Sequence, residues 1–247
     1  MKGTFFAKPL EWNVDVQGES WRQGDKVTGQ VVLKNHSNDA LALDKQGMIL
    51  AQGDMRKVHA RDPKAFNVIA HLTFPQSDPT GPESLTLPID FELPANCAIT
   101  DKRTSFYLAY GVDSREANLQ LKVEPRKLFG EVTKLMETFQ RFKFKDVKAV
   151  KGGVEYKLHP PSSRDWAHVE TLLLTLSLQG DQLHLAFCFN TKTIDKDSIT
   201  TALAKDKREF ERVLGPREYS LGKDMPNQEG LMKVLDGVLA EVKSKGF

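Results

Sequence analysis

Short runs in which every second residue is apolar are the feature that most constrains the fold of this chain. Trp12, Val14 and Val16 alternate with Glu11, Asn13 and Asp15, and Val27, Gly29, Val31 and Leu33 share one face after a turn at Gly24-Asp25. Phe66, Val68, Ala70, Leu72 and Phe74 form another one-faced run, stopped by Pro75. Leu85 to Leu93, Phe106 to Val112 and Leu119 to Val123 repeat the pattern. A period of two places successive side chains on opposite faces of a strand, so each run predicts a strand buried on one side and wet on the other. Polar, Gly- and Pro-rich connectors such as residues 35–39 and 75–83 separate them. Pro88 lacks an N–H for the ladder, which assigns its strand to an edge or a bulge. Such a succession, nearly free of helical periodicity, predicts an antiparallel sandwich over residues 1–125.

The second half, 126–247, has a different texture. Leu128, Phe129, Val132, Leu135, Met136 and Phe139 recur at spacings of three and four, which predicts an amphipathic linker helix. Phe142 and Phe144 start a strand, and Val154, Tyr156 and Leu158 follow the Gly152-Gly153 turn. Leu172 to Leu178 and Leu183 to Phe189 flank Gln179-Gly180-Asp181 as a hairpin. Beyond Asp195 the spacing of Ile199, Leu203, Phe210, Val213 and Leu214 reads as a helix capped by Asp197 or Ser198, and Arg217 to Leu221 as a short strand. Leu231, Leu235, Val238, Leu239 and Val242 predict a terminal amphipathic helix, with Gly237 in its middle. The expected fold is mainly β, two tandem sandwiches with a linker helix and C-terminal helices.

Composition narrows function mostly by exclusion. Lys plus Arg number 35 against 33 Asp plus Glu in 247 residues, so the net charge of +2 does not mark a general polyanion binder. Mean hydropathy is −0.42 and no long apolar run exists, against a membrane-spanning helix. The N-terminal apolar stretch is broken by Lys8 and Pro9, unlike a secretory signal. Cys97 and Cys188 have no Cys or His at zinc spacing and read as reduced, partly buried thiols of a cytoplasmic protein. His71 and His184 fall on the polar faces of strands, and no HExxH, GxSxG or GxGxxG occurs. The paired carboxylates, Asp15 with Glu19 and Asp195 with Asp197, sit at turns or caps, where acids are common. No cofactor or metal is implied, and the chain reads as a non-enzyme.

The order of motifs carries more than any one of them. GDKVTGQVVL (24–33), then LTLPIDFELPANCAITDKRTSFYLAYGVD (85–113), and FYLAYGVDSREANLQLKVEP followed by a helix and an F-x-F strand, resemble arrestin-like proteins. The similarity is nearest to the bacterial sporulation-control branch and spans most of the chain. It implies two arrestin-like β-sandwiches acting as a non-enzymatic scaffold or regulator in stress, development or envelope control. It also implies partner proteins bound through sheet edges and faces.

One charge feature locates a candidate site. Residues 141–157 carry six cations against Asp146 and Glu155, and Arg141, Lys143, Lys145, Lys148 and Lys151 are the candidate anion- or partner-binding residues. The simpler reading is a solvated edge strand, since lysine there blocks aggregation. The functional readings are an acidic protein partner or an anionic membrane surface, the second making the chain a peripheral adaptor. Nucleic acid fits less well, because no outward aromatics interleave with the cations. Uncharged edges elsewhere leave room for a homodimer, and a hydrolase or sugar-binding sandwich would need carboxylates converging on a cleft.

Overall fold

The structure is a computed structural model. It describes all residues except 39–42, 44, 73, 75–83, 195–202, 223–224 and 245–247, and it leaves the side chains of 193–194 and 203–205 undescribed. The chain divides into two compact units, Met1–Glu124 and Pro125–Phe247. The 75–83 connector, the Asp195–Asp197 pair, the Asp197 or Ser198 cap and Ile199 lie outside the described residues.

In the first unit, β1 (Lys2–Ala7), β2 (Leu10–Val16), β3 (Trp21–Arg22), β4 (Lys26–Asn35) and β5 (Gln46–Asp54) lead into a short helix, α1 (Met55–His59). Then come β6 (Phe66–Leu72), β7 (Ser84–Glu92), β8 (Thr104–Val112), β9 (Ala117–Leu121) and β10 (Val123–Glu124). They make two four-stranded antiparallel sheets, β1-β2-β4-β7 and β6-β5-β8-β9, with β3 and β10 as a short parallel pair. The alternating residues interdigitate as expected of a sandwich. Trp12, Val14, Val31, Leu33, Ile89 and Phe91 of one sheet meet Met48, Leu50, Phe106, Leu108 and Tyr110 of the other in one core. Trp12 and Tyr110 lie with ring centroids 5.5 Å apart. Pro88 sits in β7, at the end of its sheet, where a missing ladder donor costs nothing.

Two details depart from simple alternation. A β-bulge falls at Ile69 in β6, where Ala70 pairs with Leu50 of β5 and Val68 with Ala51. One extra residue reverses the side on which later side chains emerge. Phe66 therefore does not share a face with Leu72 and Phe74: those two pack on the main core, and Phe66 packs on a separate cluster of Ile49, Ala51 and Ala109. That second cluster lies on the outer face of the β6-β5-β8-β9 sheet. The runs Met48–Ala51 and Phe106–Tyr110 are apolar at consecutive positions, the pattern of strands covered on both faces.

The second unit runs through α2 (Lys127–Thr138), β11 (Lys143–Val150), β12 (Gly153–His159), β13 (Val169–Gln179), β14 (Gln182–Ile194) and β15 (Leu203–Leu214). It ends with α3 (Pro216–Tyr219), β16 (Ser220–Gly222), β17 (Met225–Pro226) and α4 (Gln228–Ser244). The five long strands form one antiparallel sheet in sequence order, β11 at one edge and β15 at the other. Its apolar face carries Tyr156, Leu158, Leu172, Leu174, Leu176, Leu185, Phe187 and Phe189, all buried. Helices α2 and α4 present buried stripes of their own, Phe129, Val132, Leu135 and Met136 on one and Leu231, Leu235, Val238, Leu239 and Val242 on the other. Arg212 of β15 pairs with Glu241 of α4, and Lys243 lies 5.2 Å over the ring of Trp166, which stacks on Phe189. Among the described residues, further sheet structure in this unit is limited to the β16–β17 pair.

The helix expected over Ile199 to Leu214 is corrected where it is described: Leu203–Leu214 is a strand, paired along its length with β14. In Arg208-Glu209-Phe210-Glu211-Arg212-Val213 the period is two, with Phe210 opposite Phe187 and Arg212 opposite Leu185 on the helix-facing side. The long β14 needed a ladder partner, and sheet pairing outweighs the scattered helical spacing. The strand expected over Arg217 to Leu221 is instead α3, with Pro216 at its first position, followed by β16.

Candidate functional site

The basic segment of residues 141–151 is the β11 edge and its flanks. Arg141 precedes the strand with φ of 57°, in the left-handed region that non-glycine residues seldom adopt. Phe142 is buried against Trp166 and its N–H donates to the Met136 carbonyl, which ties the entry of the strand to α2. Lys143 is opposite His159 and Lys148 opposite Glu155, so both lie on the sheet face away from the helices. Lys145 occupies a bulge between Phe144 and Asp146. Lys151 stands in the turn to β12, beside Gly152 at φ of 77°. All five cations are exposed.

Their electrostatic situations differ. Lys148 Nζ is 2.7 Å from Glu155 and is neutralised locally. Arg141, Lys143, Lys145 and Lys151 form no ion pair with any described residue. Carboxylates already hold two main-chain donors of this edge: the Phe144 N–H donates to Glu137 at 3.1 Å and the Val147 N–H to Asp146 at 3.1 Å. Bulge, lysines and capped donors are the devices by which an edge avoids pairing with its own kind. The structure thus brings along one rim four cations that pair with no described residue, and sets Lys148 apart from them.

A second site was missed in the sequence. Helix α1, the 60–65 segment, the β8–β9 turn and Phe5 of β1 border a cleft of about 610 Å³ lined by Phe5, Val58, His59, Arg61, Asp62, Pro63, Ala65, Phe66, Arg115, Glu116 and Asn118. Helix α1 begins at Asp54, whose carboxylate accepts the Arg56 and Lys57 N–H groups and pairs with Arg103 at 3.2 Å. The Arg103 hydrogen bond is the largest of the interactions holding the Asp54 carboxyl below its usual range. Gly53 has no side chain, and a Cβ there would lie 2.9 Å from the Tyr107 ring and 3.0 Å from Val58, so glycine is what lets α1 lie on the sheet. Arg61, Asp113 and Ser114 have φ of 54°, 51° and 55°. The first lines the cleft and the other two immediately precede Arg115 and Glu116. Such backbone outliers concentrate at functional sites. A sequence signal existed: the consecutive apolar positions of β5 and β8 require something to cover the outer face.

No metal-holding group of three His, Cys, Asp or Glu occurs among the described residues. Neither Cys97 nor Cys188 is in a disulfide, and both are partly buried. Burial, then the nearby Glu209 charge, pushes the Cys188 thiol upward, away from the reactive thiolate. Asp15 is 3.5 Å from Lys2. In the cleft, Asp62 and Glu116 each accept a backbone N–H, from Lys64 at 2.8 Å and Val112 at 2.9 Å. No described helix is long and apolar enough to cross a membrane.

No family model matches this chain, and no curated protein sequence does. Solved structures do. The crystal structure of Spo0M, sporulation control protein, from Bacillus subtilis matches with a TM-score of 0.60 and 15% identity, covering 96% of this chain and 100% of that one. A β-glucosidase from Listeria innocua matches over 47% of this chain and 16% of its own, at 14% identity and a TM-score of 0.29, too low to carry an argument. The two-unit β architecture, its antiparallel sheets and its terminal helix give this chain the arrestin-like fold of the sporulation control protein.

Proposed function

We propose that this chain is a cytoplasmic regulatory adaptor without catalysis of its own, which docks an acidic segment of a partner protein along the β11 edge. The observation that carries the reading is the row of exposed, unpaired cations Arg141, Lys143, Lys145 and Lys151 on an edge strand. One exposed pair contributes little, but several like charges on a rim steer an acidic partner and set its register. The same charges repel a second copy of this edge, so attraction and repulsion select for the acidic partner. The fold supports a regulatory role, since the similar solved chain is a sporulation control protein. A shared fold supplies a prior and the site supplies the function.

A second reading has its own observation. Phe139 and Phe144 are 60% and 42% exposed in the stretch of chain that carries these cations, and exposed aromatic side chains together with lysines suit an anionic bilayer surface.

The experiment is affinity capture with the tagged full chain and with a Lys143→Glu, Lys145→Glu variant, alongside sedimentation with phosphatidylglycerol vesicles. The adaptor reading expects defined proteins captured by the parent and lost by the variant. Salt-sensitive vesicle binding lost by the same variant would transfer the site to lipid. Capture and vesicle binding both indifferent to the reversal would remove the site.

A further inference from the structure

The first unit's cleft is independent of the β11 edge. Its lining divides chemically. Phe5, Val58, Pro63 and Phe66 supply apolar surface, and Arg61 and Arg115 bring guanidinium groups from separate segments. The two acids are already engaged, Asp62 by the Lys64 N–H and Glu116 by the Val112 N–H. His59 donates through Nδ1 to the Met55 carbonyl at 2.9 Å. Neither guanidinium bonds to another described residue. A guanidinium has five N–H donors in a planar fork and no acceptor, so the cleft carries a surplus of donors. The matching ligand is rich in acceptors at one end and apolar at the other. A volume of about 610 Å³ is within the range of small-molecule sites.

We propose that this cleft binds a small amphipathic oxyanion, with Arg61 and Arg115 on a carboxylate or phosphoryl head and Phe5 and Phe66 against an apolar body. Arg61 itself, and Asp113-Ser114 just before Arg115, have left-handed backbone, which non-glycine residues seldom adopt.

The test uses the full chain and anilinonaphthalene sulfonate, a fluorescent amphipathic anion. Expected is one site per chain, with affinity cut about tenfold by Arg61→Asn and again by Arg115→Gln, in line with loss of one charge-assisted contact each. Asparagine suits the left-handed position, and circular dichroism confirms that the variants fold. Inorganic phosphate alone competes weakly and 2-naphthoate strongly, because the apolar wall contributes. In the unmodified chain, 2-naphthoate shifts backbone amides of residues 58–66 and 115–118. Probe binding unchanged in the double variant, or naphthoate shifts confined to other segments, overturns the proposal.

Discussion

At the residue scale, a few side chains decide behaviour that composition does not show. Burial, and then the charge of Arg208, holds His168 below the usual histidine range. The native state therefore takes up this proton less readily than the unfolded chain, which does so below about pH 6.5. A depressed native pKa gives stability that is complete above that value and lost as pH falls toward the native pKa. Urea midpoints are therefore expected to fall between about pH 7.5 and about pH 5.5, and His168→Gln flattens that slope. An equal slope in the variant would assign the effect elsewhere. Leu174 is fully buried on the apolar face of the second sheet, and Leu174→Ala is expected to cost about 3 kcal/mol by denaturant unfolding. The core residues Trp12, Val31, Leu108 and Leu174 were legible because one-face alternation names them directly. Arg61 and Arg115 were not, because nothing in a sequence states that a backbone turns left-handed there.

At the element scale, legibility followed the strength of the period. The two amphipathic helices and the β13–β14 hairpin form where their spacing places them. β15 was misread because its apolar residues are few and partly fit a helical spacing, while the demand of β14 for a partner is invisible locally. β1 and β5 were missed for related reasons: β5 is apolar at consecutive positions and β1 is half-exposed. Helix α4 offers a contrast between two glycines. A Cβ at Gly237 meets nothing within 4 Å, whereas at Gly230 it falls 2.0 Å from the Glu218 carbonyl oxygen. Gly237→Ala is thus expected to stabilise by about 0.5–1 kcal/mol through helix propensity. Gly230→Ala is expected to destabilise, because the first turn of α4 must move off α3. Thermal unfolding of the two variants checks both signs, and the same sign in both would contradict the packing described.

At the scale of the whole molecule, each unit is closed by its own interactions. The first ends on β10, where Trp21 donates to Lys122 at 3.0 Å, Gln23 to Glu124 at 3.2 Å, and Val123 is buried. A fragment of residues 1–124 is expected to fold alone, and one ending at 121 to lose about 2–4 kcal/mol from a stripped core position and missing hydrogen bonds. The two-unit plan was legible in the change of texture from alternating to helical periods near residue 125. The cleft was not, because it is assembled from α1, the 60–65 segment, three strands and a turn far apart in sequence. The rim of β11 was legible as a cluster of cations, but only the structure shows that Lys148 is neutralised by Glu155 while Lys143, Lys145 and Lys151 pair with no described residue. The most direct measurement is amide hydrogen exchange of the full chain, alone and with a captured partner. The account predicts slowed exchange over residues 143–150, abolished by reversing Lys143 and Lys145. Protection confined to other segments, with β11 exchanging as in the free chain, would contradict it.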